Sequence, residues 1–153
     1  MHLAASLAVP GARRPTVGRW RGTRADFFTA GGLDPLEQGF DDPSVHGWRW
    51  DTVAEAQAVM AAVEEYAARC AGQHEDAEGH TATLTRLEDP AHGDEAVALA
   101  VTVTWPGGGG HESLDLLVRD GRSISRVLVR RSDGPPSAEP AAALSRVAWR
   151  RIR

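Results

Sequence analysis

The chain of 153 residues has no lysine and no asparagine, and all 17 of its basic residues are arginine. This pattern reads as the coding bias of a GC-rich genome, so the arginines cannot be counted as function. A single cysteine, Cys70, excludes an intramolecular disulfide. No window reaches the ~18 apolar residues of a membrane-spanning helix. The stretch Leu3 to Val9 is short and has no basic segment before it, so it makes a poor export signal. With a net charge of −4, no basic surplus marks nucleic acid or an anionic membrane as a general partner. G-x-S-x-G is missing, and the glycine run Pro106 to Gly110 lacks the Lys-Ser/Thr ending of a phosphate loop.

The residues that are present predict one compact domain. Residues 1–24 mix arginine with glycine, proline and threonine and read as a disordered or linker-like tail; residues 25–153 form the domain. From Asp26 to Trp50, turn signals alternate with large apolar groups, so that segment is expected to wrap onto the core. Thr52 and Glu55 form a capping box. After it, Val53, Ala56, Met60, Val63, Ala67 and Cys70 recur on one helical face, and Gly72 is expected to stop the helix. Glu95 to Trp105 alternates as a strand with one face on a core, Val97, Leu99, Val101 and Val103 pointing inward. Asp120-Gly121 predicts a two-residue hairpin turn that sets Leu117 against Ile124 and Asp115 against Arg126. A last helix carries Leu144, Val147, Ala148 and Ile152 on one face, with Ser137 as its cap. The expected class is α+β: an N-terminal and a C-terminal helix packed on an antiparallel sheet of about four strands.

Chemistry is sparse. Cys70, His74 and His80 fall in one stretch, "RCAGQHEDAEGH", but zinc needs three or four ligands in tetrahedral reach, and no second cysteine or paired histidine motif completes a set. The stretch reads as a helix end and a solvated acidic loop, with Cys70 as a small hydrophobe. His46, His92 and His111 stand alone in predicted loops. Asp94 and Glu95, as neighbours entering a strand, are expected to point to opposite faces and not to pair. "HGWRW" is the segment of most interest: Trp48, Arg49 and Trp50 either wall a ligand cleft by stacking and cation–π contact or plug the end of the sheet. No catalytic residue, metal or cofactor is expected.

Four pieces carry a resemblance: the helix Ala54 to Cys70, the strand "GDEAVALAVTV", the hairpin "LLVRDGRSISRVLV" and the terminal "AAALSRVAWRRI". In pattern and order, over about residues 45 to 153, they resemble the extracytoplasmic sensor domain of actinobacterial PknH-type kinases and its standalone relatives. The resemblance implies an α+β domain with a ligand cleft between helix and sheet and no enzymatic activity of its own. The chain departs from that family in its unpaired cysteine and in its lack of an export signal. It reads as cytoplasmic as written, and as extracytoplasmic if the resemblance holds and the start is truncated. Two other classes compete. A cone-shaped α+β protein of the nuclear transport factor 2-like type would put a titratable group inside its pocket. A protein-interaction module would leave an apolar patch exposed.

Overall fold

The computed structural model describes residues 16–17, 44–131 and 138–152. The strands are β1 (Thr16–Val17), β2 (Ser44–Arg49), β3 (Gly72–Glu75), β4 (Thr81–Arg86), β5 (Glu95–Thr104), β6 (Gly110–Asp120) and β7 (Ser123–Arg131). The helices are α1 (Val53–Arg69) and α2 (Ala138–Ile152). The strands form a seven-stranded sheet in the order β1-β2-β7-β6-β5-β4-β3, antiparallel at every pairing.

The α+β class holds, but the detail differs from expectation. Seven strands replace about four. Two of the additions come from segments expected to be loops: the aromatic-rich stretch supplies β2, and the acidic stretch supplies β3. A strand also precedes α1, which therefore crosses the sheet from β2 to β3 on the far side. Of the expected tail, Thr16–Val17 pair with β2. The rest of the tail, the wrap of residues 26–43 and the Ser137 cap lie outside the described residues.

Register sorts the side chains onto two faces. Val97, Leu99, Leu117, Ile124 and Leu84 pack under α1 with Ala56, Val59, Met60, Val63, Tyr66 and Ala67. Ala98, Leu114, Leu116, Val127 and Val129 pack against Ala141, Leu144 and Ala148 of α2. The sheet is therefore covered on both faces, not one. Alternation along β5 alone could not reveal this, because the second face presents alanines, which read as neutral.

The predicted helix face is close to the observed one, with three changes. Val53 is 43% exposed, and Val59 and Tyr66 join the buried side. The capping box forms as expected: the Glu55 N–H donates to Thr52 Oγ1 at 3.2 Å, and the Thr52 N–H donates to Glu55 Oε2 at 2.9 Å. Thr52→Ala is expected to cost about 1 kcal/mol, readable as a shift of the urea midpoint with an unchanged slope. Helix α1 ends at Arg69, where the Cys70 N–H still reaches Tyr66 O at 2.9 Å. Gly72, at φ +92, opens β3 instead of merely stopping the helix.

The β6–β7 hairpin turns at Gly121-Arg122, with Asp120 opposite Ser123 and Leu117 opposite Arg126. The expected register was displaced by two residues. An even displacement keeps every side chain on its face, so the apolar partition survives. Only Gly121 takes a positive φ, +56, which places the glycine first in the two-residue loop.

Candidate functional site

The sheet face beneath α1 is apolar towards β4 and β5 and polar towards β2. Asp115 of β6 and Arg126 of β7 lie on this face. Arg126 donates from Nε to Asp115 Oδ1 at 2.8 Å and from Nη2 to Oδ2 at 2.5 Å. The pair was expected as directly opposed residues; it forms as a diagonal, because Asp115 stands opposite Leu128. Asp115 is buried at 2% exposure, and Arg126 is largely covered at 12%. Burial pulls the Arg126 pKa down, but the Asp115 hydrogen bonds and charge outweigh it and leave it raised. The bidentate fork fixes the guanidinium plane and leaves Nη1 outside the pair.

Around this pair stand aromatic and soft groups. His46 lies directly across from Arg126, and its ring stacks on Trp48 at 5.6 Å and 12°. Tyr66 of α1 and Cys70 are buried in the same core cluster. Burial, then Cys70, then the Asp115 charge push the Tyr66 hydroxyl pKa up, so it stays protonated. The arrangement offers a stacking surface at β2, a neutralised but strongly dipolar ion pair on the floor and a protonated phenol beside it.

Trp48, Arg49 and Trp50 occupy three environments. Trp48 is half-buried against the α1 core. Trp50 is 6% exposed within that core, and its N–H donates to Arg122 O at 2.9 Å. Arg49 is exposed, at the end of β2, and alternation turns it to the opposite face from Trp48. The residues that sequence reasoning did not mark as a site are Tyr66, His46 as a stacking partner, and the Asp115–Arg126 pair as a buried floor. Burial was the hidden quantity, because a cross-strand charge pair reads the same whether exposed or covered.

The cysteine–histidine stretch does not converge. Cys70 is buried against the α1 core, His74 donates from Nε2 to Cys70 O at 2.9 Å, and His80 Nδ1 meets Asp76 Oδ2 at 2.8 Å. Among the described residues, one group of possible metal ligands lies within 4.8 Å: Asp76, Glu78 and His80. Turn chemistry accounts for it. Asp76 Oδ1 accepts the N–H groups of Glu78 and His80 at 3.0 and 2.8 Å.

Asp94 and Glu95 do converge, against expectation. Asp94 precedes the strand and escapes its alternation. Both carboxylates reach Arg119, Glu95 at 2.8 Å and Asp94 at 3.1 Å, and Asp94 also accepts the Gly121 N–H at 2.8 Å. The cluster ties the β4–β5 loop to the hairpin tip and is structural. At the opposite end of the sheet, an open depression of about 210 Å3 is lined by Thr102, Thr104, His111, Glu112 and Arg131 among others.

No family model matches the sequence. No curated protein matches it either. Among solved structures, the chain is similar to the extracellular domain of PknH from Mycobacterium tuberculosis, with a TM-score of 0.53 and 12% identity, covering 99% of this chain and 91% of that one. At that identity the likeness concerns the fold alone.

Proposed function

We propose that this chain is a non-enzymatic sensor or ligand-binding module. Its cleft lies between α1 and the β2 side of the sheet, with Trp48, Arg49 and Trp50 at the rim. The observation that carries the reading is the buried Asp115–Arg126 pair beside the stacked His46 and Trp48 rings. Apolar packing alone does not call for a desolvated ion pair on this face, whereas a polar ligand laid against stacked rings does. Trp50 anchors the rim from the core; Arg49 stands at the strand end but turns to the opposite face, so its contact with a ligand must come round the end of β2.

The non-enzymatic reading is supported by the surroundings of the nucleophiles. Ser145 Oγ lies 3.2 Å from His92 Nε2, but Ser145 is 1% exposed and His92 Nδ1 has no orienting partner. Cys70 is buried in the α1 core, out of reach of a substrate. No helix of the described residues is long and apolar enough to cross a membrane.

Ligand-observed NMR against a fragment library tests the reading. Hits on the wild-type domain are expected to weaken about tenfold in Trp48→Ala, the loss of one good aromatic contact. Arg49→Ala is expected to weaken them about threefold while keeping the melting temperature, since its side chain is exposed. Hits untouched by both changes would remove the cleft from this place.

A further inference from the structure

His92 is the histidine whose setting the proposed cleft does not use. It sits in the β4–β5 loop, and its ring lies against α2. Nε2 is 3.2 Å from Ser145 Oγ, and the ring centroid is 5.5 Å from that of Trp149. Nδ1 is buried and has no hydrogen-bond partner among the described residues. Leu87 of the same loop packs on the α2 core. We propose that His92 is a pH-operated latch: neutral, it holds the β4–β5 loop to α2, and protonated, it releases it.

The argument rests on where the second proton would go. A neutral imidazole needs one acceptor and one donor role, and leaving Nδ1 as a bare acceptor is tolerable. A protonated ring makes Nδ1 a donor with no acceptor, and it places a positive charge in a covered position. Among the facing groups, the Ser145 backbone favours the charged ring but is outweighed; the others add like charge, are already engaged or are exposed. From α2, Arg146 and Arg150 add like charge. From β6, Asp120 accepts the Trp149 indole N–H at 3.0 Å. Within the loop, Asp89 is held by Arg86 at 2.6 Å and Asp94 by Arg119, and Glu88 is exposed.

Burial, then the Arg146 charge, holds the His92 pKa below the ordinary histidine value near 6.5. The sign follows. The released loop takes up a proton before the docked one does, so docking is fully favoured above the ordinary value and is lost as pH falls below it. The latch is independent of the cleft on the other face of the sheet.

Hydrogen exchange with mass spectrometry on the full chain tests it, with rates corrected for intrinsic chemistry. Between about pH 7.5 and about pH 5, protection over residues 88–94 is expected to fall about tenfold relative to β6. In His92→Gln, which keeps a neutral donor to Ser145, the fall is expected to stay below about twofold. An equal fall in both proteins overturns the proposal, as does no fall in the wild type. The imidazole carbon shift of His92 in the wild-type chain supplies a check that needs no variant. Titration below the ordinary histidine value supports the latch, and titration at or above it overturns it.

Discussion

Asp115→Ala is expected to destabilise the domain by about 3–5 kcal/mol, because it strands the Arg126 guanidinium in a covered position with its partner gone. That is a melting-temperature drop on the order of 10 °C for a chain of this size. The same logic predicts a recovery. Asp115→Leu combined with Arg126→Met removes both charges at similar volume, and most of the lost stability should return, since an apolar pair carries no desolvation cost. Denaturant unfolding of the wild type, the single variant and the double variant decides it. A single variant within about 1 kcal/mol of wild type would mean that water reaches Arg126 and that the floor of the proposed cleft is open. The recovered double variant also has a use: if it is stable yet has lost every fragment hit, the ion pair is there for the ligand and not for the fold.

Gly93→Ala carries the second large effect. Gly93 has φ +82, and a Cβ there would lie 2.4 Å from Val118 Cγ1 and 2.7 Å from Arg119 O. The backbone oxygen cannot move away, because it accepts the Asp94 N–H at 2.8 Å. The substitution combines backbone strain with the loss of the loop's seat on the sheet, so roughly 3 kcal/mol is expected. Gly121→Ala is the internal control. Gly121 also has a positive φ, +56, but nothing lies within 4 Å of its added Cβ. Only the conformational term applies there, about 1 kcal/mol. Equal losses at the two glycines would show that the close approach at Gly93 relaxes.

The legible parts of this chain were those with a local cause. The Thr52–Glu55 box, the α1 and α2 faces and the β6–β7 hairpin each follow from residues a few positions apart. What stayed hidden depends on partners far along the chain. β2 looked like a loop because Ser44–Arg49 contains His46, Gly47 and Trp48 in no clean alternation; its strand state comes from pairing with β7. β3 looked like solvent-facing acid because it is just that: all four residues are exposed, and only the ladder to β4 makes them a strand. At the site, Trp48 and Arg126 could be named from sequence but not brought together, since their distance is set by that same β2–β7 pairing.

That pairing also dictates an order of events. Ser44 pairs with Leu128 and Arg49 with Ser123, so β2 has its main ladder partner only once β7 has been made. A ribosome delivers the N-terminal side first. The meander β3 to β7 is built from neighbours and can close as it emerges; β2, with its exposed rings, must wait and then join the sheet over a long loop. The stacking surface proposed to read a ligand is therefore assembled late, and its rings stay uncovered from the time they are made until β7 arrives.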